Sequence, residues 1–255
     1  MVDRYYRGNG KVYISSRDPV TGQPVSGFRF LGNTSQLKIS TTVQQVKHQE
    51  SYTGQGLTDL VIETTKEATL MLTLESFDKD NLALALYGTS TAVAGATISS
   101  ETVLGYVGRH VPLANINLTS FTSLTNAGGG TTYVRDEDYS VDLKSGMLSI
   151  PNGSTIADTS SLRANYVCAA HEKVAAFTRT NKELWLRFDG LNTAEEDAPV
   201  VIDIYRARFL PQKEWSLIGN ELSSLELDGD ILYDAKQPDT TTDGRFFRVR
   251  QLASA

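Results

Sequence analysis

The histidines His48, His110 and His171 are the side chains best suited to ligate a metal or move a proton near neutral pH, and they lie far apart in the chain. None sits in a His-Glu-x-x-His helix, so no zinc-hydrolase site is written locally. Asp228-Gly229-Asp230 with Asp234 is a carboxylate cluster, but its spacing departs from a calcium-binding loop and reads as a solvated strand face. Gly128-Gly129-Gly130 lacks the Gly-Lys-Ser/Thr continuation that cradles phosphate, and no Gly-x-Ser-x-Gly elbow is present. His171-Glu172 reads as a surface pair. Cys168, the single cysteine, falls in the strand-like run Leu162–Cys168 and is expected to be a buried thiol in a reducing compartment. The expectation is a non-enzyme with no catalytic, cofactor or metal residues.

What the chain does write clearly is strand periodicity. Leu37, Ile39, Thr41 and Val43 alternate with Gln36, Lys38, Ser40 and Thr42, and Leu70, Leu72 and Leu74 alternate with Thr69, Thr73 and Glu75. Such alternation predicts a sheet with one dry and one wet face. The polar segment 44–60 between these strands reads as a loop too long for a simple hairpin turn. Further strands are predicted over 11–15, 28–31, 183–188, 199–210 and 222–233, with a turn over 17–22 built on Pro19 and Gly22. One helix is expected after Asp78, which caps it, with Asp80 in its first turn, Leu82, Ala85 and Leu86 on its packed face, and Gly88 ending it.

Leu31-Gly32-Asn33 before an alternating strand, His48-x-Glu50-Ser51-x-x-Gly54, a Thr-rich strand pair and the run Asp78–Gly88 together resemble the tail tube (major tail) protein of long, non-contractile-tailed, siphovirus-like bacteriophages. The resemblance covers about a quarter of the chain well and rests on the order of elements. It implies a mainly β fold, a tail-tube-type antiparallel β-sandwich or barrel with one short flanking α-helix. It also implies stacked, hexameric rings around a channel that conducts DNA. Expected partners are further copies of the chain, the tape measure, tail terminator and distal tail proteins, and genomic DNA that passes through without specific binding. No membrane partner or cofactor is expected. The implied location is the virion tail, assembled in the host bacterial cytoplasm.

Under that reading the wet faces line an acidic channel whose carboxylate and hydroxyl groups repel phosphate, with Lys38, Ser40, Thr42, Thr69, Thr73, Glu75, Glu226 and Asp228 as wall residues and Asp203 as a weaker candidate. The segment 44–60, with His48, Glu50, Ser51, Tyr52, Gly54 and Gly56, is the expected contact between rings. The domain reading is a discontinuous sandwich, 1–100 with 177–255, interrupted by a small β subdomain over 101–176. Residues 89–100 look like a linker.

Charge fits a passive conduit better than a nucleic-acid grip. Residues 1–100 hold nine acids and nine bases, residues 101–180 seven and six, and residues 181–255 fourteen and nine, so the net −6 sits mostly in the last third. The N-terminus lacks the apolar run of a secretory signal. Three Asn-x-Ser/Thr sequons, at Asn33, Asn117 and Asn152, carry little meaning without such a signal. Two alternatives stay open: another tail component of the same fold, such as a terminator or distal tail protein, and a carbohydrate- or surface-binding β-sandwich using Tyr133 and Tyr139.

Overall fold

The computed structural model describes residues 5–180, 182–238, 240 and 244–251. The first stretch forms β1 (Gly8–Ser16), β2 (Arg29–Phe30), β3 (Thr34–Gln49), β4 (Thr58–Leu74) and the helix α1 (Lys79–Ala85). Next come β5 (Thr89–Val93), β6 (Ala96–Gly105), β7 (Arg109–Pro112), β8 (Leu118–Asn126), β9 (Thr132–Tyr133), β10 (Ser140–Asp142), β11 (Met147–Ile150), β12 (Ser160–Cys168) and β13 (His171–Ala175). The chain ends with β14 (Leu184–Asn192), β15 (Ala198–Phe209), β16 (Leu225–Ile231) and β17 (Phe247–Gln251). The protein is therefore mainly β, of antiparallel sandwich class with one short helix.

Two compact units result, one from the described residues up to Thr89 and from Val174 onward, the other Ser90–Lys173. The boundaries differ from those read in the sequence because residues 89–100 are no linker. They form β5, which pairs with β13, and the start of β6, which pairs with β12. Their small polar side chains hid strands that are only partly buried, with Ile98 reaching the core.

In the first unit one sheet runs in the order β2-β1-β14-β15-β16-β4-β3, with β17 also on β15. Val12, Leu186, Ile204, Phe209, Leu227 and Leu72 from successive strands all enter one buried cluster, so the sheet wraps around its own core. Leu82, Leu84 and Ala85 of α1 pack on the same cluster. Asp78 caps α1 as expected, accepting from the Asp80 and Asn81 amides at 2.9 Å. Asn81 is fully buried and was not singled out by sequence: its amide donates to the Leu31 and Ser76 carbonyls at 2.8 and 3.0 Å and its oxygen accepts from Arg29. Tyr87, not Gly88, takes the left-handed backbone after α1 (φ 50°). Gly88 is required for another reason, since a Cβ there would meet the Ala175 carbonyl oxygen at 2.6 Å.

The second unit holds a four-stranded sheet, β6-β12-β8-β9, and a three-stranded one, β10-β11-β7, with Leu124, Leu148, Ile150, Leu162 and Tyr166 in a separate core. A hairpin turns at Lys144–Gly146, with Gly146 left-handed (φ 68°) and β10 paired to β11. Cys168 is buried at 2% exposure.

Candidate assembly surface

Strand register decides which predicted wall residues meet. Glu226 pairs with Thr73 and Thr73 with Gln36; Asp228 with Met71 and Met71 with Lys38; Asp230 with Thr69 and Thr69 with Ser40. Thr42 follows, opposite Glu67. Directly paired residues share a face of an antiparallel sheet, and the intervening Leu70, Leu72, Leu225 and Leu227 are buried. Lys38, Ser40, Thr42, Thr69, Thr73, Glu226 and Asp228 therefore occupy one outward face of β3, β4 and β16. Gln36 shares that face, as its alternation with Leu37 implied, and Glu67, Met71 and Asp230 belong to it as well but were missed.

Two predicted wall residues differ. Glu75 lies beyond the end of β4, where its carboxylate accepts from the Asn33 side-chain amide and its backbone N–H donates to the Asn33 carbonyl at 3.0 Å. It does not meet Lys38, which lies opposite Met71. Asp203 is 3% exposed and closed in by Arg187 at 3.1 Å, Arg250 at 2.6 Å and Arg248 at 3.7 Å, so it offers no free carboxylate. The reason is register: β14 and β17 flank this part of β15 and place Arg187 and Arg248 directly across from Asp203.

The expected acidic wall is also weaker than composition implied. Glu67, Glu226, Asp228 and Asp230 stand against Lys38, Arg208 in register with Asp230, and Lys213, whose ammonium is 2.7 Å from Asp228. Four acids against three bases leave an excess of one. Other C-terminal acids are used elsewhere: Asp234 and Glu183 hold Arg17, and Glu183 also holds Arg206. Glu195, Glu196 and Asp197 fill the turn between β14 and β15.

The segment 44–60 is not a loop. β3 and β4 continue far past the core as a two-stranded arm, with pairs Val43–Lys66, Gln45–Glu63, Val46–Ile62, Lys47–Val61 and His48–Leu60. Every residue from Thr41 to Gln49 and from Ser51 to Glu67 is exposed. At about 3.3 Å per residue the part beyond Ala68 reaches roughly 30 Å. The sequence hid it because a ribbon wet on both faces shows no alternation.

The true connection, Glu50–Leu57, is held by Glu50, the one buried residue of the arm (6% exposed). Its carboxylate accepts the Tyr52 and Thr53 amides at 2.9 Å and the Thr53 hydroxyl. The Thr53 hydroxyl, then these amides, hold its pKa below the ordinary 4.5. Gly54 and Gly56 take left-handed backbone (φ 74° and 61°), and His48 Nδ1 lies 2.6 Å from Asp59. Ser51 and Tyr52 are open to solvent, Tyr52 at 84%. Val46, Leu60 and Ile62 on one face, and Val43 and Val61 on the other, are each about half exposed.

In the second unit, Tyr139 is 4% exposed and packs on Phe121 at 5.5 Å, while Tyr133 is half-buried against the same core. Neither ring forms an open platform for a sugar. The pKa of Tyr166 is pushed up to about 12 by burial and by the hydrogen bond its hydroxyl donates to the Glu101 carboxylate. His110 Nδ1 lies 2.5 Å from Ser149 Oγ beside a groove of about 520 Å³ that also takes in Arg109, Asp136 and Glu137. Among the described residues, no three His, Cys, Asp or Glu side chains are placed to hold a metal ion. No helix among them is long and apolar enough to cross a membrane.

The family model described as "protein of unknown function UCP028589" matches residues 5–250. The chain belongs to that family. Because the match runs through both units, the second unit is part of the UCP028589 architecture and not a local addition. No curated protein matches the chain.

Proposed function

We propose that the protein is a structural subunit of a phage tail tube, assembling into stacked, hexameric rings around a channel that conducts DNA. The observation that carries this reading is the arm. A two-stranded ribbon standing alone in water is marginal, and this one exposes aliphatic side chains on both faces. Such a ribbon is explained by a neighbour that covers it.

Open strand borders support the same reading. Among the described residues, β3 has no partner on its outer side over Thr34–Gln49, and β4 has none opposite β3 along the arm. Unpaired borders invite pairing, and neighbouring copies in a closed ring would satisfy them. A near-neutral, hydroxyl-rich face of Ser40, Thr42, Thr69 and Thr73 suits a wall along which a polyanion slides without adhering. The tape measure, terminator and distal tail proteins are the further partners of this reading.

Negative-stain electron microscopy of the concentrated protein tests it: hollow filaments of uniform width are the expected result. A protein that stays monomeric at every concentration and ionic condition would overturn it.

A further inference from the structure

Between β15 and β16 the chain runs from Pro211 to Ser224 without regular structure, yet it presents Leu217 at 75%, Ile218 at 96% and Leu222 at 100% exposure. The segment is held in shape. Trp215 stacks on Phe77 at 6.1 Å, Gln212 donates from its backbone to the Ala85 carbonyl at 2.8 Å, and Ser223 Oγ donates to the Ser216 carbonyl at 3.1 Å. The result is a groove of about 530 Å³ lined by Leu217 and Leu222 and rimmed by Glu214, Glu221 and Glu226. Holding three aliphatic side chains in water is unfavourable unless something covers them.

The rim states what the cover must be. Exposed aliphatic side chains set among carboxylates fit a surface of aliphatic side chains flanked by cations. One face of the arm is such a surface. Register sets Val43 beside Lys66 and Lys47 beside Val61, with Glu63 between them already held by Lys66 at 3.2 Å.

We propose that the Val43/Lys47/Val61/Lys66 face of the arm in one copy docks into the Glu214–Glu226 groove of the next copy. This rests on the self-assembly reading above and names the receiving surface. A contact between two different patches leaves each copy with a free arm or a free groove, so it repeats from copy to copy into a ring or a filament.

Two single-cysteine variants, Val61→Cys and Ile218→Cys, test this when mixed, one carrying an affinity tag, under conditions where the unaltered protein forms filaments. Both sites are exposed, and the native Cys168 is buried. Oxidation should link tagged to untagged chains in the mixture and leave each variant alone unlinked. The pair Ile218→Asp with Leu222→Asp should raise the protein concentration needed for filaments more than tenfold.

Filaments that form normally with no mixed link would overturn the docking and leave the tube standing. Links between two Ile218→Cys copies would overturn it in favour of groove-to-groove pairing. An unaltered protein that never assembles would overturn both readings together.

Discussion

Arg17 and Asp234, 217 positions apart in the chain, form a two-point ion pair, Nε to Oδ2 at 2.9 Å and Nη2 to Oδ1 at 2.5 Å. Both side chains are almost fully buried. Glu183 then bridges Arg17 at 3.1 Å and Arg206 at 2.5 Å, so the end of β1, the start of β14, β15 and the segment after β16 are tied at one point.

Removing one member of a buried pair leaves the other charged and poorly solvated. Asp234→Ala should therefore cost about 3 kcal/mol of stability, somewhat softened by Glu183, which still faces Arg17. Urea unfolding followed by tryptophan fluorescence reads this directly.

The same network sets an acid response. Burial raises the Asp234 pKa, but the Arg17 hydrogen bond and charge outweigh it and leave the group below its ordinary 3.8. The Arg206 hydrogen bond leads in lowering Glu183 from 4.5. Depressed carboxylates contribute stability that is complete above their unfolded values and lost as pH falls through the lowered folded ones. Melting temperature should hold above about pH 5 and drop steeply below about pH 4, with a shallower drop in Asp234→Asn.

Replacing residues 45–64 by Asn-Gly would close Gln44 onto Thr65, a pair already in register, with a two-residue turn. The shortened protein should keep its core, its far-ultraviolet spectrum and nearly its melting temperature, and form no filaments. Filaments of normal length from this variant would place the inter-ring contact elsewhere.

Glu50→Gln keeps size but loses the ionised acceptor for Tyr52, Thr53 and the Thr53 hydroxyl. Hydrogen exchange at those two amides should speed up severalfold while the core amides stay unchanged. In the unaltered protein the same loosening should appear only as pH falls through the lowered Glu50 value.

Thr69→Lys with Asp230→Lys changes the outward face at two paired positions that no core residue needs. Filaments should persist while DNA delivery by tails built from the variant falls, since a cationic wall would retain phosphate. Unchanged infectivity would remove this face from the channel.

Legibility followed solvent asymmetry. The dry-wet alternation of Leu70, Leu72 and Leu74 against Thr69 and Thr73 exposed β4, and Asp78 announced α1, because local chemistry alone determines both. Residues 45–59 were misread because their strands are wet on both sides. The alternation in Phe247-Arg248-Val249-Arg250 is short, yet this strand supplies two of the three guanidiniums around Asp203. Glu50 gave no sign of burial, since its acceptors' partners are amides of its own turn. The pairing of Asp203 with arginines from β14 and β17 follows from strand order, which one sequence does not state.

β4 runs unbroken from Thr58 to Leu74, so the backbone that ends in the protein's oily centre begins at the far extremity of the arm. A tug on that extremity travels along a single taut span of roughly 50 Å to Leu70, Leu72 and Leu74. In the proposed stack, a disturbance at the arm of one copy would be felt in that copy's interior.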